Sequence, residues 1–275
     1  MRAHSRIHGP GGRMSGLLNK THWLSASLLI AVIAIWELAA RQLGLSALVL
    51  PAPSAVALSL WSGLASGYFW PHLWATLQAL LLGLLIGSAV GLLAGMALAE
   101  SELLERVLKP YVVVSQVVPK LALAPLFVLW FGFGMLPTVL ITALICFFPL
   151  MENTLMGLRQ VDAQRMQLFR MLGATRLQTL LRLKLPTGLP AILAGLRVAV
   201  VLALVGAVVA EFMGASQGLG AVVIAAQGMM DTTLMFAALV LIAAMGLLLY
   251  QACLVLERRL LRSHHFSTSQ SGDRA

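Results

Sequence analysis

Charge is what this chain has least of. Only 10 of its 275 residues are Asp or Glu, and 11% carry charge of either sign. Soluble domains hold roughly a quarter charged residues, so an ordinary solvated surface cannot be assembled from this composition. Cysteine is almost missing too. Cys146 and Cys253 both fall in apolar stretches, which excludes a disulfide framework and a thiolate metal cluster. No Gly-x-x-x-x-Gly-Lys-Ser/Thr run occurs, so the chain has no phosphate loop with which to hydrolyse ATP. Hydrophobic residues fill the space, at 60% of the chain and a mean hydropathy of +0.91. Those values indicate an all-α membrane protein that crosses the bilayer several times.

Apolar runs place six spans. Residues 1–22 read as a basic tail and 23–41 as the first span, which ends in Arg41-Gln42 with no small-residue cleavage site. Residues 42–71 form a more polar periplasmic segment. The core, 72–256, holds five helices at about 72–99, 111–131, 137–158, 189–213 and 232–256, and 257–275 is a second tail. Pro119 and Pro125 interrupt the third span, and a Gly-rich stretch, 214–228, precedes the sixth. In the second span Gly83, Gly87, Gly91 and Gly95 recur at every fourth residue. Such a seam admits another backbone, inside the bundle or across a dimer face.

With the N-terminus in the cytoplasm, 16 of the 19 Lys and Arg lie on the inner side. The positive-inside rule therefore places both termini inside. The formal charge of +9 is met by anionic inner-leaflet lipid and does not call for nucleic acid.

The largest polar interruption, 166–190, is basic and amphipathic. Leu168, Met171, Leu172, Leu180 and Leu181 alternate with Arg170, Arg176 and Arg182, and Gly173 separates two short helices. Leu185-Pro186 is expected to close the unit, with a fresh apolar helix after Pro190. This cytoplasmic pair could dock onto a soluble partner or rest on lipid headgroups.

Intramembrane charge marks the remaining candidates. Lys120, Glu152 and Arg197 lie at similar depth. They form either a cationic pathway for an anion or an internal ion pair, and Arg197 is the expected partner of Glu152 because a guanidinium can hold a carboxylate through two bonds. Glu211 sits near the outer end of the fifth span, where it can anchor the Gly-rich stretch. Gly214, Ser216 and Gly218 match a nucleophile elbow, with His72 and Asp231 on the same side. That elbow requires a strand-to-helix turn, and membrane helices flank it here. An ion-gradient carrier would lead one to expect an internal repeat and midplane charges, and neither is evident.

The chain resembles the permeases of ATP-binding-cassette importers. Gly173, nine residues, Leu183, one residue and Leu185-Pro186 match their signature loop. The stretches PKLALAPLFVLWFGFG, FFPLMENTLMGLRQVD and GLRVAVVLALVGAVVAEFMGASQGLG are similar to the nitrate, sulfonate and taurine subgroup. The family's Glu-Ala-Ala is replaced by Gln167, Leu168 and Phe169, which removes an acidic docking contact. The resemblance implies a cytoplasmic coupling helix between spans four and five, built from Gln167, Leu168, Phe169, Gly173, Ala174, Leu183, Leu185 and Pro186. It implies an ATPase dimer as partner, carrying the ATP and magnesium, with no cofactor on this chain. It further implies a second permease copy, an external solute-binding protein and a bacterial inner-membrane location. The implied cargo is a small anion such as an aliphatic sulfonate, taurine or nitrate, or alternatively a thiamine-precursor pyrimidine.

Overall fold

The computed structural model describes the backbone of residues 11–42 and 48–268, and side chains from Trp23 to Leu261 apart from 25–26 and 43–47. The expected tails fall partly outside it. Every regular element among the described residues is helical. α1 spans Gly11–Gln42 and α2 Pro53–Ala65. No proline interrupts residues 11–42, and the helix begins well before the expected Trp23. The end of α1 is tied to the start of α2. Glu37 accepts hydrogen bonds from the Ser54 amide at 3.0 Å and the Ser54 hydroxyl at 2.8 Å, while Arg41 bonds both residues. Ala52, at the N-cap of α2, has no side chain able to cap it, so Glu37 supplies the missing acceptor.

Four helices are long and apolar enough to cross a membrane. They are α3 (Phe69–Glu100), α6 (Met135–Arg159), the continuous helix Arg176–Phe212, and α11 (Thr232–Thr268), which is apolar up to Leu256. A fifth crossing is made if α4 (Glu102–Val117) and the segment through α5 (Ala124–Phe131) count together; they are bent by 78°. The third span is thus not a helix opening at Tyr111. α4 already starts at Glu102, because the Ser101 hydroxyl caps it by accepting from the Leu104 amide, and Glu102 and Glu105 complement its first turn. Pro119 then ends it, and a single 3-10 turn, Lys120–Leu123, leads into α5.

The basic interruption also differs from expectation. α7 (Ala163–Met171) stops as foreseen at Gly173, but α8 (Arg176–Thr179) runs through a π turn, Leu180–Lys184, into α9 (Leu185–Phe212) without a break. The wide turn provides the reason. The Leu185 amide donates to the Leu180 carbonyl, five residues back, just where Pro186 has no amide to continue the ladder. Proline here re-registers the helix instead of closing it.

The core is built where α3 meets α6. Gly83, Gly87, Gly91 and Gly95 are all buried against α6. A Cβ at Gly91 would sit 2.5 Å from the Phe147 carbonyl, and one at Gly95 2.5 Å from the Met151 carbonyl. The seam therefore closes an intramolecular contact. α9 packs on the other side of α6, with Leu80, Cys146, Ala199, Ala203 and Ala207 fully buried between the three helices. A short helix, α10 (Leu219–Gly228), folds back between α9 and α11 and shares a second cluster with Val56, Phe69, Ala237 and Ala238.

The seam makes a direct test. Gly91→Leu must displace backbone and is expected to lower stability by about 1–3 kcal/mol or to prevent assembly. Gly228→Ala, where an added Cβ meets nothing within 4 Å, should leave the melting temperature in detergent almost unchanged.

Candidate functional site

One end of the bundle carries the basic unit. Leu172 caps α7, and Gly173 follows in the left-handed region at φ +69°. The Gly173 amide donates to Arg170 at 3.1 Å and the Ala174 amide to Phe169 at 3.0 Å, the bond pair of a Schellman turn. Thr175 then starts α8 in a reciprocal capping box with Gln178. Gln167, Leu168, Met171, Leu172 and Leu177 are exposed, Phe169 and Ala174 are half-buried, and Arg170 and Arg176 flank the apolar face. Leu183 is buried and Leu185 and Pro186 are half-buried, so this part roots the unit in the bundle. Lys184 reaches Glu100 at the end of α3, at 2.6 Å, and Arg159 at the end of α6 pairs with Glu105 on α4. The unit is thereby tied to α3 by one ion pair, and α6 is tied to α4 beside it by another.

A cavity of about 630 Å³ opens beside the break after α4. Gln116, Lys120, Phe148, Glu152 and Asn153 line it, with Val198, Leu202 and Val205 of α9 opposite. The Lys120 ammonium lies 4.4 Å from the centre of the Phe148 ring, within cation–π range. Gln116 donates to Glu152 at 3.3 Å, and Asn153 donates to the Pro149 carbonyl at 2.8 Å. Lys120 forms no ion pair among the described residues.

The expected pairing of Glu152 with Arg197 is not made. Arg197 pairs instead with Glu257 of α11. Helical phase accounts for this: Val198, Leu202 and Val205 share the face on the cavity, and Arg197 is turned about 100° from Val198. Similar depth brought Lys120 and Glu152 to one cavity, but depth carries no information on the direction of a side chain. Gln116, Phe148 and Asn153 were missed as lining residues, and Glu257 was passed over as tail.

At the opposite end, three successive amides at the start of α10 are capped by side chains. The Gly218 amide donates to His72 Nδ1 at 3.2 Å, the Leu219 amide to Thr76 Oγ1 at 2.8 Å and the Gly220 amide to Glu211 Oε2 at 2.7 Å. Of the pattern Gly214, Ser216, Gly218, the last is the N-cap of α10, and the three lie on a helix-to-helix loop in place of the strand-to-helix turn a nucleophile elbow requires. His72 Nδ1 is occupied by a backbone amide, and Asp231 accepts from Leu234 to start α11.

The Arg197–Glu257 pair is testable. Arg197→Gln or Glu257→Gln alone should lower the melting temperature by stranding a charge, and the double change should recover part of that loss. Arg197→Gln with Glu152→Gln should give no such recovery.

Comparison with known proteins completes the assignment. Residues 87–262 match the family described as binding-protein-dependent transport system inner membrane component. The riboflavin transport system permease protein RibX of Chloroflexus aurantiacus is 38% identical over 89% of this chain and 92% of its own length. The formylaminopyrimidine transport permease protein ThiX of Halalkalibacterium halodurans is 38% identical over 84% of this chain and 92% of its own. The aliphatic sulfonates transport permease protein SsuC of Bacillus subtilis, a putative assignment, is 37% identical over 87% of each chain. Among solved structures, an inward-facing MetNI methionine ABC transporter shares the fold, with a TM-score of 0.63 and 18% identity over 70% of this chain and 97% of that one. Apolar crossing helices, the Gly173 turn and these relatives converge: the chain belongs to the binding-protein-dependent inner membrane transport components, as a multi-pass permease and not an enzyme.

Proposed function

We propose that the chain forms the translocation pathway of an ATP-binding-cassette importer, with the cavity around Lys120 as the place where solute passes. The supporting observation is the pairing of two features on one bundle: a polar cavity beside a broken helix, and an exposed turn that continues into α9, which lines that cavity, and is tied to α3 by the Lys184–Glu100 pair. α1 adds a sixth span, both termini lie in the cytoplasm, and the Gly173 end faces the cytoplasm with its basic residues. There the apolar face of Leu168, Met171, Leu172 and Leu177 seats in a cleft of a separate ATPase dimer, which carries ATP and magnesium. Gln167, Leu168 and Phe169 leave that contact uncharged where the family signature has an acidic residue. A second copy of the chain closes the open side of the cavity, and a solute-binding protein docks near 42–72 and 214–231.

The solute of this reading is a small anion, an aliphatic sulfonate, taurine or a nitrate-like ion, drawn by the Lys120 ammonium, which makes no direct ion pair among the described residues although Glu152 lines the same cavity. A second reading, a thiamine-precursor pyrimidine, is favoured by the similarity to ThiX and by the Phe148 ring on the cavity wall, which offers a stacking face.

Uptake by membrane vesicles distinguishes the two. Lys120→Gln should assemble normally and lower sulfonate or taurine uptake about tenfold, the equivalent of one lost charged contact. Phe148→Leu should instead be the damaging change for a formylaminopyrimidine. Uptake that survives ATP depletion while an ion gradient persists would overturn the importer reading itself.

Coupling has its own test. An added Cβ at Gly173 meets nothing within 4 Å, so Gly173→Val acts through the left-handed backbone alone, at a cost of about 1–2 kcal/mol to the turn. The variant should reach the membrane, lose co-purification with the ATPase, and lose uptake. Normal association would remove the turn from the mechanism.

A further inference from the structure

A second polar cavity lies at the α10 end, remote from Lys120. It holds about 140 Å³ and is lined by Gln78 of α3, Thr138 of α6, Glu211 of α9, and Ser216 and Gln217 of the loop before α10. Glu211 is only 3% exposed. It accepts from the Gly220 amide and from the Thr76 hydroxyl, and no Lys or Arg pairs with it among the described residues. His72 cannot serve as the counter-charge in this arrangement, because its Nδ1 accepts from Gly218 and must carry a lone pair. The N-terminus of α10 offers about half a positive charge, which leaves a buried carboxylate incompletely balanced.

The other groups on the wall add oxygen atoms. Gln78 is half-buried and makes no hydrogen bond to any described residue, while Ser216 and Gln217 are exposed at the mouth of the cavity. Thr138 donates to the Gly134 carbonyl, so its oxygen lone pairs remain for a ligand. A carboxylate, two amide carbonyls and two hydroxyls form a hard, oxygen-rich set. Among the described residues no group of three His, Cys, Asp or Glu exists to hold a divalent ion, and one carboxylate with neutral oxygens suits a single positive charge.

We infer that this cavity is a binding site for one monovalent cation, held by Glu211, Thr138, Ser216 and the side-chain carbonyls of Gln78 and Gln217. Both an alkali ion and the ammonium group of a small solute have this chemistry. Occupation would join α3, the start of α6, the end of α9 and the loop before α10, and so stiffen this end of the bundle.

The test uses the full chain purified in nanodiscs, at fixed pH and at ionic strength held constant with N-methylglucamine chloride. Sodium, potassium or methylammonium chloride is exchanged in while the melting temperature is followed. We expect a saturable rise of roughly 2–4 °C at about five times the dissociation constant for at least one of them. A response to sodium or potassium alone identifies an inorganic ion, and a response to methylammonium alone an ammonium head group. Glu211→Gln keeps a carbonyl for the Gly220 amide and should melt normally but lose the response. Should that variant fail to fold, Gln78→Leu with Ser216→Ala decides the matter, since it leaves the α10 cap intact and should raise the half-saturating concentration several-fold. A wild-type melting temperature that no cation moves, or that moves only with pH, would show a protonated carboxyl and overturn the site. An unchanged midpoint in Gln78→Leu with Ser216→Ala would overturn it equally.

Discussion

The contact between the glycine seam of α3 and the backbone of α6 is the constraint on which the rest of the structure hangs. Helices in lipid gain nothing from burying apolar side chains against one another rather than against acyl tails, so close backbone packing has to hold them. Removing four side chains in register lets the two helices approach until carbonyls of α6 occupy the places where Cβ atoms would stand. This contact makes α3 a strut. Its first turns present His72 and Thr76 to α10, and its last residue, Glu100, receives Lys184 from the basic unit. Both ends of the molecule are thus referred to one rigid axis.

The two ends differ in chemistry for a physical reason. At the Gly173 end the polar groups are long side chains, some paired as in Lys184–Glu100 and Arg159–Glu105 and others, such as Arg170 and Arg176, exposed without an ion pair among the described residues. Around α10 they are short, buried and bonded to successive backbone amides, and each such bond would be costly to leave unmade. A labile end and a fixed end on one strut suit a protein that must pass movement along its length. Between them, the break at Pro119 gives up helical hydrogen bonds, and the resulting turn brings Lys120 to the cavity wall.

Much of the architecture was legible because the bilayer leaves the chain few options. Hydrophobic runs announced α3 and α6 to within three residues at each end, the end of α9 and the start of α11, but not that α11 continues to Thr268; the seam, the break at Pro119 and the stop at Gly173 were visible as spacing. Errors occurred where a local rule has two outcomes. Pro186 can end a helix or sit beyond a π turn, and only the bond from Leu185 to Leu180 selects the second. Apolarity placed the third span at 111–131, yet acidic residues after Ser101 start its helix at Glu102.

The sequence by itself determined the class of the protein, its main crossings, the family resemblance and the residue types available for a pathway. Those depend on composition and on short-range order, which the chain carries along its own length. Tertiary structure alone decided which charges meet. Lys120 and Glu152 share a cavity while Arg197, at similar depth, turns to Glu257, and Glu211 joins two residues of α3 more than 130 positions earlier around the first turn of α10. Depth in a membrane can be counted from the ends of a span, but the direction in which a side chain points is set by the rotation of each helix against its neighbours. That rotation is fixed by packing, as at the glycine seam, and not by anything within a single helix.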